Sequence, residues 1–271
     1  MPVILPLISI ITISYNEKNN IENTINSVIN QTYKNIEFII IDGKSTDGTV
    51  DIINKYKEQI SLFISEKDKG IYDAMNKAND LASGDYIIFL NSGDSFSSKT
   101  IVQEIIANTE SFNYTLITGR TKIYYEKENL NLISPPSNII LDNNTKTYSH
   151  QSTFIHKKIY KFYNYNLNYK ISADKEYWYK IKNTDNFNIK FHDLNIASFE
   201  LGGVSNNHKN AINRRIEDIF IEYTYDKVTL NKFIIFFCTT ILSYFLTKNE
   251  KFYFKKIYPL INKIKNKKVN K

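Results

Sequence analysis

Between residues 7 and 94 the chain alternates mostly apolar runs with segments whose apolar residues recur every three or four positions. The runs are Leu7–Ser14, Ile36–Asp42, Ser61–Ser65 and Tyr86–Leu90. After the first come Ile21, Ile25, Val28 and Ile29, and after the second Val50, Ile53 and Tyr56. After the third come Ile71, Ala74, Met75, Ala78 and Ala82. This spacing predicts strands alternating with helices. Strands that are mostly apolar, each followed by a helix, predict a parallel sheet covered on both faces.

The remainder is less regular. Ile101–Ile106 reads as a helix, and Thr115–Gly119 and Lys122–Tyr125 as strands. Pro135-Pro136 opens a polar loop through Thr147, and order resumes over Tyr148–His156. Lys175–Lys182 is expected to be a helix, Phe187–Phe199 one or two strands, and Asn210–Tyr225 a polar amphipathic helix. The chain has 271 residues, 42% of them hydrophobic, enough for a sizeable core. A single cysteine, Cys238, rules out internal disulfides and a cysteine-based zinc cage. Met1–Ile13 has no basic residue ahead of its apolar run and no small-residue cleavage site, so it reads as the first core strand, not a signal peptide.

The net charge of +7 is uneven. Lys248–Lys271 holds nine lysines and one glutamate, leaving the rest of the chain at −1. Just before it lies Phe233–Thr247, fifteen residues without a charge. A spanning helix needs roughly 20 apolar residues. The run therefore reads, with the lysines, as an interfacial anchor on an anionic membrane. The alternative is a C-terminal helix packed on the body, followed by a solvated basic end. A neutral body without a nucleic-acid motif argues against nucleic acid.

The residues that carry chemistry stand where the predicted strands end. Asp94 closes the turn Asn91-Ser92-Gly93-Asp94 after the fourth run. A carboxylate at the carboxyl end of a strand in an open α/β sheet faces the ligand crevice. A hard cation that also binds phosphate needs only one or two such groups. Ser14-Tyr15-Asn16-Glu17 follows the first strand, where free N–H groups can meet a ligand or simply start a helix. Asp42 ends the second strand, either as an acceptor for a base or ribose or as a turn residue before Gly43. No G-x-G-x-x-G follows the first strand and no P-loop occurs anywhere.

Five segments at fixed spacing resemble the family 2 glycosyltransferases of the GT-A fold. They are Ile10–Glu17, Ser27–Tyr33, Ile41–Thr49, Ser65–Lys77 and Ala82–Asp94. The resemblance covers about the first hundred residues and is closest to the subgroup that builds bacterial surface polysaccharides. It implies an α/β fold with a Rossmann-like, mostly parallel sheet flanked by helices, plus a C-terminal helical extension. Residues 1–115 would form the nucleotide-sugar half, 116–210 the acceptor half, and 211–271 the helical extension with its basic tail. The implied reaction is inverting transfer of a sugar from a nucleotide-diphosphate donor, a UDP-sugar, to a lipid-linked or oligosaccharide acceptor. The alternatives are transfer to a polyprenyl phosphate and a non-catalytic nucleotide-sugar-binding subunit. The implied location is cytoplasmic, peripheral on the inner face of the plasma membrane.

The resemblance also implies roles. Thr12, Tyr15 and Glu17 would line the nucleoside pocket, and Asp42 would hydrogen-bond the base. Asp68, Lys69 and Gly70 would border the donor. Asp94 would hold Mn²⁺ or Mg²⁺ against the diphosphate. Asn91 and Gly93 stand where many relatives have aspartates, so that metal rests on one carboxylate. The general base for the acceptor hydroxyl would be Asp174, in Ser172–Trp178, with Glu176 as second choice. The alternative for Asp174 is a cap on the helix starting at Lys175. His150-Gln151 resembles an acceptor-side segment. Gly202-Gly203 resembles a flexible loop near the phosphates, with His208 as a further metal or phosphate contact or an ordinary loop histidine. Arg214-Arg215 would reach diphosphate or line a solvated helix face.

Overall fold

The computed structural model describes residues 5–125, 130–200 and 210–226. The expectations for Gly202-Gly203, His208, Phe233–Thr247 and the lysine-rich tail lie outside the described residues.

The N-terminal half folds as its periodicity predicts. Strands β1 (Ile8–Ser14), β2 (Ile36–Asp42), β3 (Leu62–Ser65) and β4 (Tyr86–Phe89) are parallel, in the order β3-β2-β1-β4. Helices α1 (Ile21–Ile29), α2 (Thr49–Asn54) and α3 (Ile71–Leu81) connect them. The runs lack polar alternation because both faces are covered. Ile8 and Ile10, Phe38 and Ile40, and Tyr86 and Ile88 pack with Ile21, Ile25 and Val28 of α1 and with α4 (Ile101–Ala107). Ile11 and Ile13, Ile39 and Ile41, and Ile87 and Phe89 pack on the other face with Ala74, Met75 and Ala78 of α3. That face is also covered by α6 (Ala173–Lys182), through Tyr177, Trp178 and Ile181.

Beyond β4 the same nine-stranded sheet becomes mixed. Strand β8 (Thr153–His156) runs antiparallel to β4. Strand β6 (Leu116–Tyr125) lies between β8 and β9 (Ile189–Glu200), antiparallel to the first and parallel to the second. Strand β5 (Ser95–Phe96) adds to β9, and β7 (Leu130–Ser134) forms a hairpin with β6. Helices α5 (Lys157–Tyr160) and α7 (Ala211–Asp226) complete the described chain.

The two strands expected over 115–125 are one. Gly119 reads as a break in the sequence, yet it serves close approach: an added Cβ would sit 2.7 Å from Ile196 Cδ1 and 2.9 Å from Leu194 O. The strand continues while its register against β9 slips between Thr118 and Thr121. The segment 187–199 likewise yields the single strand β9. Helix α6 begins at Ala173 with Ser172 at its N-cap position, two residues earlier than the pattern suggests.

Arg120 anchors the loop that returns the chain toward β8. It is buried, and its Nη1 donates to the carbonyls of Pro135, Pro136 and Ile139 at 2.8, 2.7 and 3.1 Å. Its Nη2 donates to Ser137 O at 3.1 Å, and its Nε to Asp193. Removing the guanidinium strands buried carbonyls without donors. Arg120→Met is therefore expected to lower unfolding free energy by about 1–3 kcal/mol, read from the urea midpoint. A loss below about 1 kcal/mol, the value of an ordinary hydrogen bond, would show that the loop holds itself.

Candidate active site

The loops that follow β1, β2, β3 and β4 meet at one edge of the sheet. Gly43 N–H donates to Ser14 O at 2.8 Å and Ser92 N–H to Ile13 O at 3.1 Å, which joins the ends of β2 and β4 to that of β1. Strand order reverses at β1, with β2 on one side and β4 on the other, and such a switch opens the ligand crevice. Because β8 runs against β4, the turn His150–Ser152 before it arrives at the same edge.

The loops after β1 and β2 are cross-tied. Asn16 adopts a left-handed backbone (φ 54), and its N–H donates to Ser45 Oγ at 2.8 Å. Its Oδ1 accepts Thr46 N–H at 2.9 Å, and Glu17 N–H donates to Thr49 Oγ1 at 2.9 Å. Asp42 is fully buried. Its carboxylate accepts Ser45 N–H at 2.9 Å, Ser45 Oγ at 2.5 Å and Ser65 Oγ at 2.7 Å. It thus ties the loops after β2 and β3, and a base would have to displace one of these serines to reach it. Thr12 is also fully buried, its hydroxyl donating to Leu90 O at 2.8 Å.

Tyr15 and Asp68 come together over Gly43. A Cβ at Gly43 would lie 3.2 Å from the Tyr15 ring and 2.6 Å from Asp68 Oδ2, so any side chain there would push the Asp68 carboxylate aside. The Tyr15 ring is 62% exposed, open to stacking by a planar ligand. Asp68 Oδ1 accepts Gly70 N–H at 2.9 Å, and Lys69 N–H donates to Asp73 Oδ2 at 3.0 Å. Gly70 (φ 121) then turns the chain into α3.

Asp94 sits at the end of β4 and is 8% exposed. Its Oδ2 accepts Asn91 N–H at 3.1 Å, and its own N–H donates to Asn91 O at 2.8 Å. Thr24 of α1 fixes the turn by accepting Gly93 N–H at 3.0 Å and donating to Asp94 O at 2.7 Å. Burial raises the Asp94 carboxyl to about 8; hydrogen bonds from Asn91 N–H and Gln151 oppose the rise, and the Glu17 charge adds to it. Gly93 holds φ 96, a backbone that an aspartate there would strain. Asn91 Nδ2 lies 3.4 Å from His150 Nε2, and burial lowers His150 to about 4, so its ring is neutral at pH 7.

Three buried oxygens at this edge, Ser14 Oγ, Asn91 Oδ1 and Ser92 Oγ, have no hydrogen-bond partner among the described residues. Buried polar atoms normally find partners, and those left open at a cleft point to a ligand. Among the described residues no group of three or more His, Cys, Asp or Glu side chains could hold a metal. One carboxylate with amide and hydroxyl oxygens does fit a hard divalent cation whose remaining shell comes from phosphates.

Asp174 lies in the first turn of α6. It is not the N-cap, since Ser172 holds that place. Its Oδ1 is 3.2 Å from the Tyr72 hydroxyl, which also donates to Ile171 O at 2.7 Å. Burial raises the carboxyl to about 6, with nearby Asp218 adding to the rise; Lys175 N–H and Tyr72 counter it. Tyr72 stands two residues after Gly70, so Asp174 is linked through the first turn of α3 to the Asp68–Gly70 loop. Glu176 is buried instead on Tyr225 and Lys180, at 2.9 Å from each. Arg214 and Arg215 lie on α7, both half-buried.

Sequence reasoning left several site residues without a role. Thr24 braces the Asp94 turn and Tyr72 touches Asp174, yet both sit at ordinary helix positions. His150 and Gln151, expected on the acceptor side, lie against the Asn91–Asp94 turn, because β8 pairs with β4 on one side as well as with β6 on the other.

The sequence profile of glycosyl transferase family 2 matches residues 9–206. The chain is 45% identical over 102 residues to the Escherichia coli UDP-Glc:alpha-D-GlcNAc-diphosphoundecaprenol beta-1,3-glucosyltransferase WfaP. It is 40% identical over 103 residues to the putative teichuronic acid biosynthesis glycosyltransferase TuaG of Bacillus subtilis (strain 168). Each match takes in 37% of this chain and 41% of the relative, so the chain spans about two fifths of their length. The solved mannosyltransferase PcManGT of Pyrobaculum calidifontis, in complex with GDP-Man and Mn²⁺, superposes with a TM-score of 0.63. That match covers 84% of this chain and 66% of PcManGT at 13% identity, a likeness of fold. The profile match spans most of the sheet together with Asp94 and Asp174, and on that evidence the chain belongs to glycosyl transferase family 2 with the GT-A fold.

Proposed function

We propose that this protein transfers a sugar, with inversion, from a nucleotide-diphosphate donor to a hydroxyl of a lipid-linked surface glycan. The observation that carries the reading is the pair of proton-hungry carboxylates, the buried Asp94 at the end of β4 and the half-buried Asp174, tied through Tyr72 and α3 to the loop after β3. Tyr15, Asp68 and the Lys69-Gly70 turn hold the nucleoside, while Asn91, Ser92 and Asp94 face the diphosphate. A bound Mn²⁺ or Mg²⁺ supplies positive charge that stabilises the departing nucleoside diphosphate. Asp174 accepts the proton of the acceptor hydroxyl as that oxygen attacks the anomeric carbon. A carboxyl at about 6 is ionised at neutral pH yet basic enough to take that proton. A UDP-sugar and a polyprenyl-linked acceptor are the favoured partners, in keeping with the activity named for WfaP.

A thermal-shift panel of UDP-, GDP- and dTDP-sugars, each with and without Mn²⁺, tests the donor assignment. One nucleotide class should raise Tm by several degrees, and only with the metal. No shift with any donor would sink it.

A further inference from the structure

Helix α7 buries Ile219 and Ile221 against the body and carries a second apolar stripe on its outer face. A surface helix ordinarily turns charges to water and an apolar stripe to the core. Here the acidic side chains face inward and are all engaged. Glu217 accepts the N–H groups of Lys170, Ile171 and Ser172 at 2.8, 2.9 and 2.8 Å. Lys175 pairs with Asp218 and Glu222 at 3.4 and 2.8 Å, and Asp226 accepts the Tyr179 hydroxyl at 2.9 Å. The exposed positions are Ile212, Asn213, Ile216, Phe220, Tyr223 and Thr224, none of them charged. The four large apolar ones recur at intervals of four, four and three and are 36, 45, 59 and 66% exposed. Phe162, 80% exposed, lines an open groove together with Tyr225 of the last turn.

We infer that the outer face of α7 docks on an anionic lipid bilayer. A helix of sixteen residues, about 24 Å long, with an uncharged apolar face suits the headgroup boundary, into which such faces sink. Charge complementarity selects a membrane. The sequence after α7 carries the uncharged run Phe233–Thr247 and then a net charge of +8, while the rest of the chain is at −1. Each lysine near an anionic surface contributes attraction, and an apolar face contributes insertion; stable anchoring takes two such signals. The inner face grips the segment that leads into Asp174, so docking would hold that carboxylate at a fixed height above the lipid. In purpose this rests on the lipid-linked acceptor proposed above, although the binding itself does not.

The test is co-sedimentation of the full chain with phosphatidylcholine vesicles with and without phosphatidylglycerol. Wild type should partition onto the anionic vesicles only. The double variant Ile216→Ser/Phe220→Ser should lower that partitioning about tenfold or more, with Tm and turnover of a short soluble acceptor unchanged. Tyr223→Ser alone should give a smaller loss in the same direction. Unchanged partitioning in the double variant would overturn the inference. So would a fall in its Tm, which would show the face covered by the chain itself, or a change from dimer to monomer. If vesicle binding behaves as expected while Asp174→Asn keeps full activity, the catalytic assignment fails and the docking face stands.

Discussion

Asp174→Asn is expected to lower kcat about 10²–10⁴-fold, the usual contribution of a positioned general base. The amide keeps the shape of the side chain and its contact with Tyr72 but cannot take a proton. KM for the donor should hardly move, because the groups proposed to hold the donor follow β1 to β4 and Asp174 lies on α6. The pH profile gives the sharper readout. With its carboxyl at about 6, Asp174 works once deprotonated, so wild-type kcat/KM should rise with pH through about 6 and level off above it. The asparagine variant should lose that limb. Its fold should be retained, since a neutral group at this buried place removes a charge that the fold disfavours. Full activity in Asp174→Asn would overturn the base assignment and favour an acceptor that needs no deprotonation, such as a polyprenyl phosphate.

Asp94→Asn should abolish transfer and yet stabilise the metal-free protein. Burial holds the Asp94 carboxyl near 8 against an ordinary value of 3.8. The native state therefore keeps a proton that the unfolded chain releases. Its contribution to stability is complete below about 4 and is lost as pH rises through about 8. In EDTA, Tm of wild type should decline across that window more steeply than Tm of Asp94→Asn. The two should agree near pH 4 and differ at pH 8 by roughly 5–10 °C, on the order of a few kcal/mol. Mn²⁺ with a nucleoside diphosphate should reverse the order, raising wild type alone. Metal binding at pH 7 should release a proton, visible in a weakly buffered titration. Parallel pH dependence of the two proteins, or wild-type transfer by the variant, would remove Asp94 from the metal site.

Much of the N-terminal half was legible because its signals are local. The strands β1, β2 and β4 are mostly apolar and lack strict polar alternation, so their burial on both faces follows from composition over seven or fewer residues. Asp94 and Asp42 stand at strand ends, and strand ends in a parallel sheet share an edge. The rest of the chain was read less well. Strand β5 has two residues and exists only through its pairing with β9, about a hundred residues away. Gly119 carries the same letter whether it breaks a strand or lets two strands close up, and Ile196 decides which.

The sequence by itself determined the alternation of strand and helix, the edge on which the site is built, and the carboxylates available there. Those properties depend on residues within a few positions of one another. Only the tertiary structure decided which of these groups remain open to a ligand. Asp42 looks as free as Asp94 on paper, but Ser65, arriving from β3, closes it within the sheet. Asn91, Ser92 and Ser14 keep oxygens without partners because β1 and β4 lie side by side. Asp174 gains its raised affinity for a proton from burial beneath α7 and α3. Burial and pairing are made by segments distant in the chain, and the free energy of a charged or polar group is set by what those segments bring beside it.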